Sequence, residues 1–462
     1  MPYYNTILKG KKIQKLKRNT IFGGAGDLRK NPLKYIVELD KTYPGIVHMK
    51  FLHRDIVLLN DPVLVRDVLQ TNQKHYMKNL MYDKLKLLLG EGLLTSEGQV
   101  WKRQRKMIQP SFHKQHINNL FDEMLNCTNE MIKEWKVEAA TGGKIDFAPE
   151  MMKITLQIIA KTMLSADLKT EAQSVGVSLT YILKALEKRV LRGINFPMWL
   201  PTPSNTEFKN KRKVLDALIY KLISDRRKTG QQKGDLLDML MHSRYEDNGE
   251  AMADNLLRDE LMTIFLAGHE TTATALTWTF YLLSKHPEVY RKLKKEVKEV
   301  VGEGELTFQH LHQLKYTKAC INESMRLFPP VWVIGRRATE DNMVGDYLIK
   351  KDTTILISPY IVHRHKDYWK APEVFNPERW ETEEVKQMDK FAYFPFAAGP
   401  RMCIGNNFAL LEADIILTKV IQQFDFDYIG ESVPEMDPTL TLRVKNGMPM
   451  QIQDRKPINA SK

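Results

Sequence analysis

The chain contains 462 residues, carries a formal net charge of +13 at pH 7 and has three cysteines. These cysteines, Cys127, Cys320 and Cys403, are far apart and form no CxxC pair, which argues against a disulfide framework and against a structural zinc site. The excess of positive charge suits an acidic protein partner or an anionic surface, but no groove-reading module accompanies it, so we expect no nucleic-acid binding.

The chain shows no internal repeat, no linker and no break in composition, and we expect residues 1–462 to form a single domain. Residues 1–25 are a basic tail without the apolar core of a signal peptide, and no run of 18 apolar residues predicts a transmembrane anchor. We therefore expect a soluble, cytoplasmic protein with a solvated tail. Contact of Lys9–Arg18 with a membrane surface is the alternative.

The first predicted element is a β-hairpin. Apolar and β-branched residues dominate Ile46–Leu59, and the turn is expected near His53 and Arg54. Helical periodicity then takes over for most of the chain, which predicts a mainly α fold with small β-sheets.

A basic helix follows the hairpin. Trp101 and Arg105 lie four residues apart and therefore on one helix face. Three neighbouring cations would then point outward, namely Lys102, Arg103 and Lys106. Taken alone, such a stretch is most often an ordinary solvated turn of helix.

Residues Asp254–His286 predict one unusually long helix that ends before Pro287. Its middle part has low helix propensity, because Gly268 costs about 1 kcal/mol relative to alanine. The hydroxyl of Thr271 can also bond a carbonyl four residues earlier and bend the helix. Without other information, the glycine marks a packing notch between helices.

Two polar groups follow the long helix. Glu323 and Arg326 form an i,i+3 pair of a kind that is common on helix surfaces and contributes a few tenths of a kcal/mol. Arg379 could join them from a later segment. The nearby His363 and His365 could suggest a metal site, but we favour a structural role for both.

The stretch Phe391–Leu410 is difficult to explain as ordinary packing. Cys403 lies in a loop between Gly399 and Gly405, directly before an apolar helical pattern. Backbone N–H groups and the helix dipole at such a position are expected to favour the thiolate, which prepares the cysteine as a nucleophile or metal ligand. A buried cysteine that acts as a small hydrophobe is the alternative.

The cysteine loop also contains the pattern FxxGxRxCxG, which resembles the haem-binding signature of the cytochrome P-450 family. Three further patterns, in family order, resemble other motifs of that family: WxxxR at Trp101 and Arg105, AGHETT at 267–272, and ExxR at Glu323 and Arg326. The five fixed positions of the signature are Phe396, Gly399, Arg401, Cys403 and Gly405.

The resemblance implies a single P-450 haem domain that holds one haem b. In this interpretation Cys403 is the axial thiolate ligand of the iron, and Phe396 packs near the sulfur. Opening of the distal helix at Gly268 leaves room for O₂, while Thr271 and Glu270 deliver protons. The cations and ring expected at the haem propionates are Arg401, Trp101, Arg105 and Arg336, with Arg337 as the substitute for Arg336.

The resemblance further implies that a Glu323–Arg326–Arg379 network fixes the cysteine loop and that a mobile substrate lid falls within residues 175–215. Electrons would come from NAD(P)H through a reductase and a separate ferredoxin or flavodoxin, which would dock on the outward cations Lys102, Arg103 and Lys106. We expect a monomer that hydroxylates a lipophilic small molecule.

The substrate is the least determined part of the prediction. The motifs are most similar to those of fatty-acid hydroxylases and the related carotenoid hydroxylases. Ala267 replaces the glutamate that binds haem covalently in some members, and the apolar stretch Ile56–Leu59 does not favour a free fatty acid. Oxidative O-demethylation of a methyl ether, a peroxide-driven peroxygenase, and a haem-based sensor or electron carrier are the alternatives.

Overall fold

The computed structural model describes residues 7–8, 11–12, 14–15, 30–51, 54–168, 171–191, 195–245 and 249–455. Most of these residues are helical and the strands are short, which confirms the predicted mainly α fold with small β-sheets. The α-helices are α1 (Pro32–Thr42), α2 (Pro62–Arg66), α3 (Leu80–Leu89), α4 (Gly98–Ile108), α5 (Lys114–Asn118), α6 (Phe121–Ala140), α7 (Phe147–Leu164), α8 (Ala172–Leu191), α9 (Pro203–Thr229), α10 (Leu236–His242), α11 (Asp254–Lys285), α12 (Pro287–Val300), α13 (Phe308–Gln313), α14 (Lys315–Leu327), α15 (Pro359–Val362), α16 (Glu383–Lys386) and α17 (Asn406–Gln423).

The strands belong to several small sheets. They are β1 (Ile7–Leu8), β2 (Lys11–Lys12), β3 (Gln14–Lys15), β4 (Ile46–Phe51), β5 (Arg54–Leu59), β6 (Tyr76–Lys78), β7 (Lys144–Asp146), β8 (Ile334–Ala338), β9 (Asn342–Val344), β10 (Tyr347–Ile349), β11 (Thr354–Ile357), β12 (Phe424–Tyr428), β13 (Met436–Pro438), β14 (Leu442–Val444) and β15 (Pro449–Asp454). The largest sheet has the order β3-β4-β5-β11-β8-β6, and a second has the order β12-β15-β7. The remaining strands pair as β1-β2, β9-β10 and β13-β14.

The predicted hairpin is the antiparallel pair β4–β5, in which Ile46 lies opposite Leu59. Arg54 begins β5, whereas His53 lies outside the described residues, as does most of the predicted basic tail. At the far edge of the same sheet, Lys78 of β6 pairs with Arg336 of β8. The sheet therefore places two cations side by side.

Helix α11 is the long helix that the sequence predicts, and its last residue differs from the prediction by one. It packs extensively against α7 and most of its side chains are buried, including the large Trp278 and Phe280. Pro287 starts α12 directly afterwards, as its fixed backbone angle and missing N–H favour at the first turn of a helix. A helix of this length spans the molecule and can carry functional groups to its centre.

The middle of α11 differs from the expectation of a local opening. The α-helix continues without interruption through the described residues 254–285, Gly268 included. A Cβ built on Gly268 would lie 2.6 Å from Cδ1 of Ile159 in α7, so any larger residue here would require the Ile159 side chain to move. The predicted back-bond is present, since the Thr271 hydroxyl donates to the Ala267 carbonyl at 2.8 Å.

The predicted Glu323–Arg326–Arg379 network is confirmed. Both carboxylate oxygens of Glu323 accept from Arg326 at 2.9 Å, and Oε1 also accepts from Arg379 Nε at 2.9 Å. The side chain of Trp380 donates to Oε2 at 3.0 Å. Arg326 and Arg379 donate in addition to backbone carbonyls of residues 370–374, so the network holds the chain that leads to the cysteine loop.

The entrance to the cysteine loop is held by further buried groups. His363 accepts a hydrogen bond from the Phe394 backbone N–H at 3.0 Å, and burial lowers its pKa well below the ordinary value. Trp369 donates to the Ala392 carbonyl at 3.2 Å. These contacts fit the structural role that we favoured for His363.

Two further features concern the outer parts of the molecule. The stretch predicted to contain the lid comprises α8, α9 and the connection between them, of which residues 192–194 lie outside the described part of the chain. Pro203 occupies the first position of α9, where proline is favoured. Within the described ranges, none of the helices combines the length and apolar character needed to cross a bilayer.

Candidate functional site

Cys403 lies between a 3₁₀ turn, Gly399–Arg401, and the start of helix α17. Its backbone N–H donates to the Phe396 carbonyl at 2.9 Å, and the backbone N–H of Gly405 donates to its sulfur. Its side chain is exposed, whereas Cys127 and Cys320 are both buried. The loop thus presents one sulfur at its surface in a fixed position.

The glycine before the cysteine has a steric cause. Gly399 has a φ of +70°, and a Cβ at this position would lie 1.9 Å from the Leu69 carbonyl oxygen. That carbonyl belongs to a π-helical turn, Asp67–Thr71. Only glycine permits both the left-handed conformation and this close approach of two backbones.

The electrostatic prediction for the free cysteine is wrong. Burial of the surrounding loop raises the pKa of Cys403 above its ordinary value, although the Gly405 N–H and the charge of Arg105 both act to lower it. Desolvation by the surrounding loop therefore outweighs the helix terminus, although the sulfur itself is accessible. A metal ion bound at the sulfur would displace the thiol proton.

The predicted WxxxR residues lie beside the loop. Arg105 Nη1 donates to the Met402 carbonyl at 2.9 Å, one residue before the cysteine. The guanidinium of Arg401 stacks on the ring of Trp101, 3.8 Å from its centroid. The structure therefore brings Trp101, Arg105 and Arg401 together with Cys403, as the sequence predicts.

Arg401 has a protein partner that the sequence did not indicate. It forms an ion pair with Glu97 and donates to the Ser96 carbonyl at 3.0 Å. Burial is the main cause that lowers the pKa of Arg401 to about 10, against the opposing charge of Glu97. The arginine remains charged at neutral pH and is held in one orientation.

Three cations meet near Glu97. Arg336 is 7% exposed, and within the described residues its side chain bonds only the Gly335 carbonyl, at 2.9 Å. Lys78 donates to the carbonyls of Leu93 and Leu94, and its pKa falls to about 6 because of burial and the nearby charge of Arg401. Lys78 is therefore mostly neutral at pH 7, but Arg336 and Arg401 together still carry more positive charge than Glu97 can balance, which favours binding of an anionic group.

The outward face of α4 is as predicted. Lys102, Arg103 and Lys106 are exposed, whereas Trp101 and Arg105 are half-buried. The guanidinium of Arg103 lies 5.8 Å from the ring centroid of Tyr245. One helix thus carries groups of the site on its inner face and a positive surface on its outer face.

The distal helix has one accessible face at its centre. Ala267 is exposed and both Gly268 and Thr271 are half-buried, although their helical neighbours are buried. These positions are one and four residues apart and lie on the same side of α11. Glu412 of α17 lies next to the neighbouring Thr272, and burial raises the pKa of Glu412 well above its ordinary value. The centre of α11 is therefore close to the helix that follows the cysteine.

Glu270 is buried and bound on the other side of the helix. Its Oε1 accepts from the Thr441 hydroxyl and from Arg443 Nε, the latter at 2.8 Å. The side chain of Glu270 is 2% exposed. Glu270 is therefore adjacent to Thr271 in the sequence, but its side chain contacts the segment around β14.

Several residues of the site escaped the sequence-based prediction: Lys78, Glu97, Thr441 and Arg443. They belong to no motif, and each reaches the site from a strand, loop or helix cap. Lys78 could not be recognised as a site residue from the sequence, because a single lysine in a short strand is common on protein surfaces. Only the pairing of strands shows that it is buried beside Arg336.

The arrangement fits haem in three respects. An accessible cysteine sulfur is the ligand type found in haem-thiolate proteins. The excess of cations near Glu97 provides partners for carboxylate side chains, which need them when buried. The accessible face of α11 supplies a surface against which a flat group can lie.

The comparisons with known proteins agree with this geometry. Residues 14–450 match the family described as Cytochrome P450. The chain is 30% identical to the Arabidopsis thaliana protein LUTEIN DEFICIENT 5, chloroplastic, over 449 residues that cover 92% of this chain and 74% of the relative. It is 30% identical over 405 residues to cyclooctat-9-en-7-ol 5-monooxygenase of Streptomyces melanosporofaciens, which covers 87% of both chains.

Another relative is leukotriene-B4 omega-hydroxylase 3 of Mus musculus, which is 30% identical over 464 residues covering 95% of this chain and 88% of the relative. The match to the family spans nearly the whole chain and includes every motif described above. The chain therefore belongs to the cytochrome P450 family of haem-containing monooxygenases.

Proposed function

We propose that this protein is a haem b monooxygenase that inserts one atom of O₂ into a C–H bond of a lipophilic small molecule. The observation that carries the proposal is that the accessible Cys403 lies in one loop with Arg401 and next to Arg105, beside a cluster whose positive charge exceeds that of Glu97. The chain would act as a single haem domain. When bound through Cys403, haem supplies an iron at which O₂ is activated, and the thiolate donates electron density to it.

The haem propionates would be held by Arg105, Arg336, Arg401 and Lys78, with Trp101 as a further donor. Arg336 supports this assignment most directly, because within the described part of the chain it forms no ion pair. A buried arginine without a carboxylate is unfavourable, and an anionic group beside it removes most of that cost. Glu97 would keep Arg401 stacked on Trp101 while the propionate binds.

Proton delivery would be carried out by Thr271 and Glu270. The Thr271 hydroxyl donates to the Ala267 carbonyl, which leaves its oxygen lone pairs on the accessible face of α11. Rotation about one bond would redirect its proton toward a group on that face. Positioned proton donors of this kind contribute about 10²–10⁴-fold to a rate.

Electrons would come from NAD(P)H through a reductase and a ferredoxin or flavodoxin. The exposed cations Lys102, Arg103 and Lys106 support this proposal, because they share α4 with the residues beside Cys403. An acidic carrier bound there would sit close to the sulfur side of the site. The electron-transfer rate should fall as salt rises, since salt screens such contacts.

The names of the relatives favour an apolar isoprenoid as substrate class. One is called a carotene epsilon-monooxygenase and one a cyclooctat-9-en-7-ol 5-monooxygenase, whereas another is called a leukotriene-B4 omega-hydroxylase. The buried residues Ile56–Leu59 of β5 are uncharged and offer no cation for a carboxylate. ω-Hydroxylation of a fatty acid is the second candidate, supported by the relative of that name.

The test is a turnover assay with β-carotene, a cyclic diterpene alcohol and dodecanoic acid, each offered with a surrogate ferredoxin system and, separately, with hydrogen peroxide. We expect product with NADPH and little with peroxide, and preference for the two isoprenoids. Thr271→Val should lower product formed per NADPH strongly. The matched control is Thr279→Val, because Thr279 makes the same back-bond, to Ala275 at 2.8 Å, but is buried.

Equal turnover by the two variants would refute the proton-delivery role of Thr271. Product formed with peroxide but not with NADPH would instead identify a peroxygenase. Failure of the reduced protein to give the carbon monoxide spectrum of haem-thiolate ligation would refute the proposal as a whole.

A further inference from the structure

The carboxylate of Glu270 has a partner outside every motif of the sequence. Arg443 in β14 donates to Glu270 Oε1 through Nε, and its Nη2 also lies 2.8 Å from this oxygen. The hydroxyl of Thr441, just before β14, donates to the same atom. The side chain of Arg443 is only 15% exposed, so these contacts are largely shielded from solvent.

The two oxygens of this carboxylate are in different environments. Oε1 accepts all the contacts from Arg443 and Thr441. Oε2 is buried and, within the described residues, has no hydrogen-bond partner. The contacts therefore fix the rotation of the carboxylate and leave Oε2 as the one oxygen that can exchange a proton.

Strand β14 is anchored, so Arg443 is placed rigidly. Trp278, two turns further along α11 than Glu270, donates to the Leu442 carbonyl at 2.7 Å. The Leu442 N–H donates to the Pro330 carbonyl at 2.9 Å. Because Trp278 and Glu270 belong to the same helix, the strand keeps a fixed distance from the carboxylate.

Other charged groups around Arg443 do not replace this contact. His269 is buried, and burial together with the charge of Arg443 lowers its pKa to about 3, so it is neutral at pH 7. Glu187 of lid helix α8 and Asp437 of β13 lie close enough to interact with each other, and Glu187 also interacts with Arg443. Arg443 thus lies between the carboxylate in the distal helix and an acidic residue of the lid helix.

We propose that Arg443 is the positioning residue of the proton-delivery group: it holds the Glu270 carboxylate through Oε1 and leaves Oε2 as the oxygen that exchanges protons. Thr441 assists at the same oxygen. This inference rests on the proposed monooxygenase function. Without Arg443 the carboxylate would be buried without a cation, and its rotation would no longer be fixed.

The test compares Arg443→Gln, Arg443→Lys and Thr441→Val with wild-type holoprotein. The readouts are hydrogen peroxide released per NADPH, product per NADPH with β-carotene or dodecanoic acid, and the solvent deuterium isotope effect on NADPH-driven turnover. We expect Arg443→Gln to lower product per NADPH by about 10-fold, below the full contribution of a proton donor, and to raise the isotope effect. Arg443→Lys should recover part of the loss.

The matched control is Lys445→Gln. Lys445 follows β14 directly and pairs with Glu435 on the surface, with its side chain 52% exposed. The Lys445→Gln substitution should leave all three readouts unchanged. The carbon monoxide spectrum and the spectral shift caused by substrate should be unchanged in every variant, which separates positioning from a general structural effect.

The outcomes are distinguishable from failure of the proposed function. If the wild type makes no product and consumes no NADPH, the proposed function is wrong. If the wild type is active and Arg443→Gln retains its coupling and isotope effect, only the role of Arg443 is wrong. If Arg443→Gln does not fold, unchanged readouts in Thr441→Val and Arg443→Lys together would overturn the inference, and graded losses would support it.

Discussion

The cysteine side and the distal-helix side of the site are built in different ways. On the cysteine side, the contacts next to the sulfur join residues of recognisable motifs, as Arg105 bonds the Met402 carbonyl and Arg401 stacks on Trp101, although Arg401 also pairs with Glu97 outside the motifs. On the distal side, Glu270 belongs to a motif, but its partners Thr441 and Arg443 do not.

The difference shows which constraints leave a trace in the sequence. A cysteine that must bind a metal tolerates no other residue type, and the glycine beside it cannot carry a side chain. A buried carboxylate needs only some cation with good geometry, and many positions in the fold can supply one. The cysteine side should therefore be the more sensitive to single substitutions, and the predictions below test this ranking.

The largest effect is expected at Cys403. Cys403→Ser removes the sulfur, and an alcohol oxygen is a much weaker ligand than thiolate. We expect complete loss of the haem-thiolate spectrum in the reduced carbon monoxide adduct and loss of NADPH-driven product formation. Cys127→Ala is the control, because Cys127 is also a free cysteine but its side chain is buried. Retention of the thiolate spectrum in Cys403→Ser would contradict the assignment.

The next effect concerns the network that supports the cysteine loop. Glu323→Gln leaves Arg326 and Arg379 buried with no carboxylate between them, which typically costs about 3–5 kcal/mol. Urea unfolding of the holoprotein, followed by tryptophan fluorescence and by haem absorption, should show this loss. Haem release should begin at lower urea than in the wild type.

Glu378→Gln is the matched control for this experiment. Glu378 lies close by in sequence and pairs with Lys292, but both side chains are more than half exposed. Exposed ion pairs contribute at most about 1 kcal/mol to the free energy of unfolding. If the two substitutions destabilise the protein equally, the network does not act as a buried unit.

Much of the fold and of the cysteine side followed from the sequence. The bounds of α11 were predicted to within one residue because proline, a long apolar pattern and the absence of breaks all agree there. The ExxR pair was uninformative alone, yet the proximity of Arg379 in the structure turns it into a buried network. Long-range contacts of that kind are not encoded in local periodicity.

Other properties could not be derived from local pattern. The state of Cys403 was wrongly predicted because the helix terminus is visible in sequence whereas the desolvation that raises the pKa is not. The expected opening at Gly268 is not observed, because α11 is continuous there, and the glycine instead faces Ile159, which lies more than 100 residues away in sequence. In both cases tertiary packing decided the outcome.

The third prediction compares the two adjacent arginines of β8. Arg336→Gln removes the buried cation without an ion-pair partner in the described residues, and hydrogen bonds to charged groups contribute about 1.5–3 kcal/mol. We expect haem to dissociate about 10–100-fold faster, measured as transfer to apomyoglobin. Arg337→Gln should have little effect, because Arg337 points toward Met77, 3.0 Å from its sulfur. The opposite ranking would assign the propionate to Arg337.

The smallest effect is expected at Lys78 and depends on pH. Burial, assisted by the charge of Arg401, lowers the pKa of Lys78 to about 6 in the haem-free chain, so the amine is mostly neutral at pH 7. A propionate placed beside it favours the charged form and raises this pKa. Haem binding should then take up a proton, and this contribution to affinity should grow as pH falls toward 6 and level off below it.

Lys78→Met removes only this contribution. The ratio of wild-type to variant haem affinity, measured by titrating haem into the haem-free proteins, should therefore rise several-fold as pH is lowered from about 8 to about 6. A several-fold change corresponds to a rise of less than one unit in the pKa of Lys78 on haem binding, since one unit equals about 1.36 kcal/mol. Lys350→Met is the control, since Lys350 pairs with Asp341 at the surface. Because the ratio cancels the pH dependence of haem itself, a constant ratio would mean that Lys78 stays neutral in the complex. In that case the arginines alone would bind the propionates on the cysteine side. Lys78, which lies outside the motifs, would then add nothing to haem affinity, and the motif residues would account for haem binding on that side.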